Sequence, residues 1–589
     1  MSLFTTGPDD RATAQTRPAV PNTVSTDSSA VPDTAHTGDI VGALGRIAKG
    51  ESANGRSLWQ RMRMLAVIVG PGLIVMVGDN DAGGVATYAQ AGQNYGINLL
   101  WTLALLIPVL YVNQEMVVRL GAVTGVGHAR LIFERFGRFW GMFSLGDLVV
   151  LNALTIVTEF IGVSLALGFL GCPKAIAVPV AAVVLFAVVA GGSFRRWERL
   201  LFALIAVNIV MVPMALMVHP SVPTIASGLI PQFPGGLDAT LLLLIVAIVG
   251  TTVAPWQLFF QQSNIVDKRI TPNWIRYARA DLWIGIAVVM GGALAIMATA
   301  AFGLAGTDLV GQFTDAGAVA AGLSDHAGRA VGVLFAVLLL DASIIGANAV
   351  GLATTYAIGD SMGKRHSLHW KVSQAPLFYG AYTVLLAGSA ALAFTPDHVQ
   401  GLITQGVQVL AGVLLPSATV FLVLLCNDRP VLGPWVNSVR KNIMAWTIVW
   451  CLVLLSLALT TATLFPDVSA SALKSGLVAG AAVGIIGGAV VIVVARRRAV
   501  RADADAVAAA FAGIDPEVVE DLDEAAGLTR AERNAINERD RATWRTPALA
   551  TLARPVMSPG RRAGLLVLRG YLLLAIVLVV VKVVQAGAG

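Results

Sequence analysis

Long apolar runs recur along almost the whole chain, and they restrict the possible folds more than any other feature. Each run of about 18 or more residues can cross roughly 30 Å of hydrocarbon as a helix. Only 13% of the 589 residues are charged, whereas a soluble domain carries about 25%. We therefore expect an all-α polytopic membrane protein and exclude a peripheral or single-anchor protein. The runs predict about thirteen spans, at residues 65–88, 96–118, 139–169, 173–191, 199–217, 239–263, 280–303, 330–358, 375–394, 401–425, 442–465, 476–495 and 564–584.

Basic residues are concentrated in alternate loops, and the other loops carry little beyond Lys174 and Lys474. The positive-inside rule then predicts a cytoplasmic N-terminus and, with thirteen spans, an external C-terminus. This placement attributes the net charge of +6 to the membrane rather than to nucleic-acid binding. The Ala-, Val- and Arg-rich composition indicates a bacterial plasma membrane. The cationic loops contain Arg130, Arg135, Arg138; Arg195, Arg196; Lys268, Arg269, Arg276; Lys364, Arg365, Lys371; Arg429, Arg440, Lys441; and Arg496, Arg497, Arg498.

The two ends of the chain differ from the apolar body. Residues 1–60 are rich in Thr, Asp, Pro and Ser, which predicts a disordered cytoplasmic tail. Residues 427–498 hold two further spans, 499–562 form a polar helical linker on the cytoplasmic side, and 563–589 hold the final span. Asp515, Glu517, Glu520, Asp521, Asp523 and Glu524 of the linker are expected to form a solvated face, and a cation sensor is the alternative. The three cysteines, Cys172, Cys426 and Cys451, show no CxxC pairing and are expected to be small core residues.

The first span contains the clearest candidate for a functional site. Its middle reads Gly78-Asp79-Asn80-Asp81-Ala82-Gly83-Gly84. Glycine costs about 1 kcal/mol per residue in a helix, and charged residues at membrane depth are expensive. The span is therefore expected to be broken here. Free main-chain oxygens beside Asp79 and Asp81 would then form a cation site.

The sixth span contains a second interruption, Gly250-Thr251-Thr252-Val253-Ala254-Pro255-Trp256-Gln257. Pro255 removes one helical hydrogen bond and frees carbonyl groups near Thr251. Two breaks five spans apart predict inverted repeats of five helices, about 65–217 and 239–425, with a substrate site between them. Two ordinary kinks are the alternative, because Gly and Pro are common in membrane helices.

Other acidic residues at membrane depth have less certain roles. Glu159, Asp147 and Asp341 could line a vestibule, or each could be a buried carboxylate bonded to a neighbouring helix. Glu115 and Arg119 are spaced as an i, i+4 pair, which indicates a structural role.

The chain resembles the Nramp family of divalent-metal transporters. Residues 70–92 resemble the first helix of the family and residues 250–263 the sixth. The resemblance continues at Gln114, at Arg119-Leu120-Gly121, at Glu159-Phe160-Ile161-Gly162 and at Asn427-Asp428-Arg429, and it covers about 65–465. It implies a LeuT-like fold with two inverted five-helix repeats in a transport core at 61–426, followed by about three extra helices. The metal site would lie between the first and sixth helices.

Departures from the family pattern concern the metal ligands. Manganese and iron carriers usually read Asp-Pro-Gly-Asn where this chain has Asp81-Ala82-Gly83-Gly84, and Met-Pro-His-Asn where it has Ala254-Pro255-Trp256-Gln257. A thioether favours soft or borderline ions, and its loss favours Mg²⁺, which usually keeps several waters. Gly84 and Ala254 are expected to leave room for such an ion. The expected ligands are Asp79, Asp81, the carbonyl of Thr251 and the amide of Gln257, as in Nramp-related magnesium transporters.

The same comparison bears on coupling. Proton-coupled members use a histidine and an acid where this chain has Trp256 and Ile156. We therefore expect uptake of Mg²⁺, and also Mn²⁺, driven by the membrane potential without protons, by a monomer that needs no cofactor. Trp256, Asn80 and Glu159 are expected to line the cavity. The alternatives are a proton-coupled Mn²⁺ or Fe²⁺ carrier and a sodium-coupled amino-acid carrier. We identify no motif of an intramembrane hydrolase.

Overall fold

The computed structural model describes residues 34–51, 57–465, 468–489, 541, 544–553, 555, 562, 565, 566, 569, 570 and 573. Two short strands, β1 (Ile40–Gly42) and β2 (Gly45–Ile47), precede the helices. The first half of the bundle contains α1 (Leu58–Ile68), α2 (Pro71–Val77), α3 (Ala82–Tyr95), α4 (Leu100–Thr124), α5 (His128–Phe136), α6 (Arg138–Phe169), α7 (Lys174–Ala190), α8 (Phe194–Val207), α9 (Met211–Met217) and α10 (Val222–Ser227).

The second half follows the same plan of long apolar helices. It contains α11 (Ala239–Thr252), α12 (Pro255–Asp267), α13 (Ile275–Gly303), α14 (Ala316–His326), α15 (Arg329–Met362), α16 (Pro376–Leu392), α17 (Asp397–Cys426), α18 (Arg429–Leu432), α19 (Val439–Leu464) and α20 (Ala470–Ala489). The broken pair α2 and α3 belongs to the first half, and the broken pair α11 and α12 begins the second.

The helices agree with the predicted spans. Within the described ranges nine helical segments are long and apolar enough to cross a membrane, with α8–α9 and α11–α12 each counted as one segment. The number is ten if α1 and α2, which meet at 52°, form one span. The shorter apolar helices α7 and α16 occupy the fourth and ninth predicted spans. The helices α5, α10 and α14 lie between predicted spans. The last predicted span, 564–584, falls mostly outside the described residues, as does the acidic cluster of the linker.

The prediction of disorder for 1–60 is wrong for the segment 34–51. There β1 pairs antiparallel with β2, and Ile40 lies opposite Ile47. Both isoleucines are buried in the main core. Arg199 Nε of α8 also donates to the Ala43 carbonyl at 3.0 Å. Composition did not reveal this hairpin because its order depends on contacts with residues more than 150 positions away. The end of the bundle against which this hairpin packs is called the hairpin side.

A fully buried ion pair holds the hairpin against the bundle. Lys268, just after α12, places Nζ 2.6 Å from Glu198 Oε1 of α8, and neither side chain is exposed. Lys268 also donates to the Val69 carbonyl at 2.8 Å, and the Ala43 N–H donates to Glu198. We call Ala43, Val69, Glu198 and Lys268 the hairpin clasp. Lys268 is therefore not a solvated loop cation, because the clasp surrounds its ammonium group.

Asp281 of α13 also fixes the bend between α1 and α2. Its carboxylate accepts the N–H groups of Gly70 at 3.2 Å, Gly72 at 2.6 Å and Leu73 at 3.1 Å. These are donors that the start of a helix leaves without intrahelical partners. Gly70 has φ of 152°, which favours glycine, and it lies directly against the clasp. The Asp281 hydrogen bonds and the clasp thus fix the start of the first broken span.

Replacing Asp281 with Asn should destabilise the protein by about 1–3 kcal/mol. The amide has one acceptor oxygen instead of two, and its NH₂ group would face backbone N–H groups that have lost their acceptor. The exposed Asp308 provides a matched control, since Asp308→Asn removes a charge without removing a bonded acceptor. Thermal unfolding of the purified protein in detergent measures both variants. Equal melting temperatures for the two would contradict this account of the bend.

Candidate cation site at two broken helices

The first break occurs where glycines and acids interrupt the apolar sequence. Helix α2 ends at Val77 and α3 begins at Ala82, so residues 78–81 lie outside helical structure. Asp81 caps α3, and its Oδ1 accepts the Gly84 N–H at 2.7 Å. Asp79 and Asp81 are buried, with 1% and 3% of their surface exposed. The predicted interruption is confirmed, and both carboxylates lie inside the protein.

The second break is a true interruption rather than a kink. Helix α11 ends at Thr252, Val253 and Ala254 are non-helical, and Pro255 begins α12. Proline suits this first position because its missing N–H needs no helical partner there. Thr251 is buried, and its Oγ1 has no hydrogen-bond partner among the described residues. The break therefore leaves the Thr251 hydroxyl oxygen without a partner beside the gap in the helix.

Gln257 joins the two breaks. Its Nε2 donates to Asp79 Oδ1 and, at 3.3 Å, to the Thr252 carbonyl. Its Oε1 accepts from Gln114 Nε2 of α4 at 3.0 Å. The other Asp79 oxygen, Oδ2, has no partner within the described structure. Of the predicted ligands, Asp79 and Gln257 are thus in direct contact, and Gln114 is a neighbour that sequence reasoning did not place there.

Asp81 lies against Glu159 instead. Glu159 Oε2 of α6 accepts the Ala82 N–H at 3.1 Å. A Cβ on Gly346 of α15 would lie 2.7 Å from Asp81 Cβ and 2.8 Å from Glu159 Oε2. The two acids therefore share one small space that only glycine leaves open. Gly346 had no distinguishing signal in the sequence.

The space beside Gly84 differs from the expectation. A Cβ at Gly84 would lie 2.5 Å from the Asp79 carbonyl oxygen and 3.2 Å from Thr251 Oγ1. In this conformation the backbone of the first break, rather than room for an ion, fills that space. Gly84 thus allows the two breaks to approach closely. Ala254 is buried at the second break with 4% of its surface exposed.

Trp256 and Asn80 border the same region. A Cβ at Gly78 would lie 3.1 Å from Trp256 Cη2, so the indole packs directly on the first break. Asn80 Nδ2 donates to the Val289 carbonyl of α13 at 3.2 Å. Trp256 therefore covers one side of the first break, whereas the Asn80 amide is hydrogen-bonded to a neighbouring helix.

Two further polar side chains reach the site. The Gln408 amide of α17 lies against Gly83, and its Nε2 has no hydrogen-bond partner in the described part of the chain. The Tyr88 hydroxyl and Thr252 Oγ1 share a hydrogen bond of 2.7 Å. An amide in the middle of an apolar span was a usable signal for Gln408. Nothing in the sequence distinguished Tyr88.

Two clefts approach the breaks. One, on the side opposite the hairpin, is lined by Ala82 and Asp315 and also by Thr87, Gln90, Thr158, Thr404 and Gln405. The other is lined by Asp147 and Pro255, among other residues. Asp147 therefore lines a cavity, as one of its two interpretations expected. Asp341 instead accepts a hydrogen bond of 2.5 Å from Asn208.

Glu115 and His128, which lie near these helices, are in structural environments. Glu115 pairs with Arg119 at 3.4 Å, Arg279 at 2.6 Å and Lys441 at 2.7 Å. Burial lowers the pKa of His128, in the connecting helix α5, to about 4, so its imidazole is neutral near pH 7. Within the residues that the structure describes, no three His, Cys, Asp or Glu side chains gather closely enough to hold a metal ion.

The expectation that the sequence holds no hydrolase motif needs one correction, because a short pattern of that type is present. Residues 359–363 read Gly-x-Ser-x-Gly, and they lie at the carboxyl end of α15. Ser361 Oγ donates to the Ile358 carbonyl at 2.9 Å. A nucleophile elbow requires a turn from a strand into a helix, which this helix end does not provide.

Two interrupted membrane helices that meet through carboxylate and amide side chains define a transporter of the broken-helix class. Residues 72–462 match the family described as Nramp: Natural resistance-associated macrophage protein-like. Because the match covers more than half of the chain, the protein belongs to the Nramp family. The resemblance and the fold class drawn from the sequence are confirmed.

Individual relatives agree with this assignment. The chain is 29% identical over 409 residues to the divalent metal cation transporter MntH of Ralstonia nicotianae, covering 66% of this chain and 88% of that protein. It is also 29% identical to MntH 1 of Pseudomonas aeruginosa, over 66% of this chain and 89% of the relative. These relatives are named as transporters and not as enzymes.

A solved structure supports the fold. The manganese transporter of Eremococcus coleocola, in complex with an aromatic bis-isothiourea substituted compound, superimposes with a TM-score of 0.56 at 21% identity. The match covers 76% of this chain and 98% of that one. The transport core therefore has the helix arrangement of known Nramp structures, with the two breaks in its first and sixth spans.

The substitution Gly84→Ala should lower the free energy of unfolding by about 1–3 kcal/mol, since its methyl group would press on the Asp79 carbonyl. Gly146 of α6 is the control, because a Cβ there meets nothing within 4 Å. Gly146→Ala should be neutral or stabilise the helix by up to about 1 kcal/mol. Thermal unfolding compares them. A Gly84→Ala protein as stable as the parent would mean that residues 79–81 follow another path.

Proposed function

We propose that this protein takes up Mg²⁺, and also Mn²⁺, by alternating access, as a largely hydrated ion and without proton coupling. Membership of the Nramp family supports transport of a divalent metal, because the relatives are named as divalent metal cation transporters. The choice of Mg²⁺ rests on the side chains at the two breaks.

The observation that carries the proposal is the chain of contacts from Gln114 through Gln257 to Asp79. Together with Asp81 and Thr251, these side chains offer carboxylate, amide and hydroxyl oxygens, which are the donors that hard cations prefer. Ala254 offers no sulfur atom where manganese carriers usually have methionine. Mg²⁺ dehydrates reluctantly, so polar groups that bind its waters can hold it without a cage of direct ligands.

The absence of proton coupling is inferred from the residues at the two positions where proton-coupled members of the family have an acid and a histidine. Trp256 and Ile156 are buried and cannot accept a proton. Glu159 remains beside Asp81, and it is the specific feature that favours the second candidate, a proton-coupled manganese carrier. For Mg²⁺ the membrane potential is a sufficient driving force. Moving two charges through 100 mV yields roughly 4.6 kcal/mol, which supports a concentration ratio above about 10³.

We infer that the hairpin side faces the cytoplasm of a bacterial cell, because the basic loops cluster at that end. The cleft from Asp315 to Ala82 would then receive the ion from outside. We propose that the transport unit is a monomer.

Flux in proteoliposomes tests the substrate and the coupling together. With an inside-negative potential, Mg²⁺ and Mn²⁺ should both enter, and a pH dye inside the vesicles should record no matching acidification. Asp81→Ala should abolish both fluxes, while Asp308→Ala, an exposed acid outside the site, should leave them unchanged. Acidification that follows metal influx would establish the proton-coupled candidate. Mn²⁺ influx that millimolar Mg²⁺ leaves unaffected would refute the Mg²⁺ assignment.

The substitution Ala254→Met should shift the preference from Mg²⁺ toward Mn²⁺ or Cd²⁺, because a thioether binds softer ions better. We expect the ratio of Cd²⁺ to Mg²⁺ influx to rise about tenfold, corresponding to roughly 1.4 kcal/mol. Ala254→Leu is the matched control, because it adds similar bulk without sulfur. If both variants change the ratio equally, size rather than ligand softness sets the selectivity.

A further inference from the structure

Three basic side chains surround the single carboxylate of Glu115 on α4. Glu115 Oε1 accepts from Arg279 Nη2 of α13 at 2.6 Å and from Lys441 Nζ of α19 at 2.7 Å. Its Oε2 accepts from Arg119 Nη2 at 3.4 Å. Within the described part of the chain no other carboxylate forms an ion pair with these cations. Three cations and one carboxylate leave a net charge of +2, and we call these four residues the basic cluster.

Two members of the basic cluster reach the surface of the bundle. The side chains of Arg279 and Lys441 are 37% and 39% exposed, whereas Glu115 and Arg119 are buried. Arg279 precedes by two residues Asp281, which binds the bend between α1 and α2 beside the clasp. The exposed part of the basic cluster therefore lies toward the hairpin side of the bundle.

Arg279 and Lys441 keep hydrogen-bond donors that Glu115 does not use. Arginine has five N–H donors and lysine has three. Among the described residues Arg279 uses only Nε and Nη2, both toward Glu115, and Lys441 Nζ bonds only Glu115. Donors without acceptors are costly beside apolar surface. A ligand with negatively charged oxygen atoms would satisfy the remaining donors and also neutralise the excess charge.

An apolar strip of α4 leads to the basic cluster. Leu105, Pro108 and Tyr111 are exposed or half-buried, and intervals of three, three and four residues place them on the face of α4 that ends at Glu115. Both α13 and α19 pack against α4. Trp283 of α13 is 49% exposed, and its ring stacks on Tyr111 with 4.6 Å between the centroids. An aromatic and aliphatic surface is thus continuous with the two exposed cations.

We propose that the basic cluster binds the phosphate group of an anionic phospholipid, whose acyl chains lie along the apolar strip of α4. The Arg279 guanidinium can donate two parallel hydrogen bonds to phosphate oxygens, and the Lys441 ammonium adds a compact charge. Basic pockets between membrane helices recognise anionic headgroups in this way. The proposal is independent of which metal ion the protein carries.

The position of the aromatic pair favours a lipid over a soluble anion. Trp283 is four residues beyond Arg279, which corresponds to about 6 Å along α13. Tryptophan and tyrosine commonly lie at the interface between headgroups and acyl chains. The net charge favours an anionic over a zwitterionic lipid, because the ammonium group of a zwitterionic headgroup would be repelled by the unneutralised cations.

Native mass spectrometry of the full chain in detergent tests the site directly. The parent protein should retain phosphatidylglycerol at least about tenfold more than phosphatidylcholine. The double variant Arg279→Gln, Lys441→Gln should lose this preference, while the buried Glu115–Arg119 pair remains neutral. The control is Arg195→Gln, Lys371→Gln, which removes the same two charge types from exposed positions outside the cluster. Equal retention of the two lipids by the parent, or equal losses in both double variants, would overturn the proposal.

Glu115→Gln provides a test with the opposite sign. It raises the net charge of the cluster to +3 and releases the donors of Arg279 and Lys441, so phosphatidylglycerol should bind about fivefold more tightly. A lipid that binds the native state raises the melting temperature by mass action. The rise with added phosphatidylglycerol should therefore be larger for Glu115→Gln than for the parent. An equal or smaller rise would show that the cations serve only Glu115, and would refute the lipid site.

Inorganic phosphate distinguishes the two sources of a phosphate group. At the same phosphate concentration it should raise the melting temperature of the parent by less than about a tenth of the rise with phosphatidylglycerol, because it makes no contact with the apolar strip. Equal stabilisation by inorganic phosphate would identify a site for a soluble anion and contradict the lipid assignment.

Discussion

The structure depends on how two helices are interrupted inside the membrane and still remain hydrogen-bonded. Each break frees backbone groups that hydrocarbon cannot satisfy. The protein resolves this with polar side chains from neighbouring elements. Asp81 caps α3, Glu159 binds the first N–H of that helix, and Gln257 joins Asp79 to the second break. The groups that stabilise the breaks are also the candidate ligands, so stability and cation binding share one set of atoms.

Contacts elsewhere in the bundle hold the two breaks next to each other. Asp281 fixes the start of α2 through three backbone N–H groups. The buried pair of Lys268 and Glu198 links the end of α12 to the bend before α2 and to the N-terminal hairpin. Removing one partner of a buried ion pair leaves an uncompensated charge, so the loss of either Lys268 or Glu198 would destabilise this arrangement. The hairpin side thus contains a buried ion pair, whereas the cleft on the opposite side is lined by Ala82.

Sequence reasoning located the breaks because glycine, proline and acids at membrane depth are costly and therefore informative. It also identified Asp79 and Gln257, which are in contact. It missed Gly346 and Tyr88, whose importance comes only from what packs against them. It treated Lys268 as a loop cation and 34–51 as disordered, because burial by distant segments leaves no local pattern. The space at Gly84 was wrongly expected to be open, since the sequence does not specify the path of the Asp79 backbone.

In the proposed site Asp79, Asp81 and Gln257 hold a hard divalent cation through its waters. Anomalous diffraction from crystals grown with Mn²⁺, with and without competing Mg²⁺, tests it most directly. We expect one anomalous peak between the two breaks, separated from the carboxylate oxygens by more than the direct-contact distance of about 2.1 Å and reduced by Mg²⁺. A peak elsewhere in the bundle, or a fully dehydrated ion that Mg²⁺ does not displace, would contradict the account.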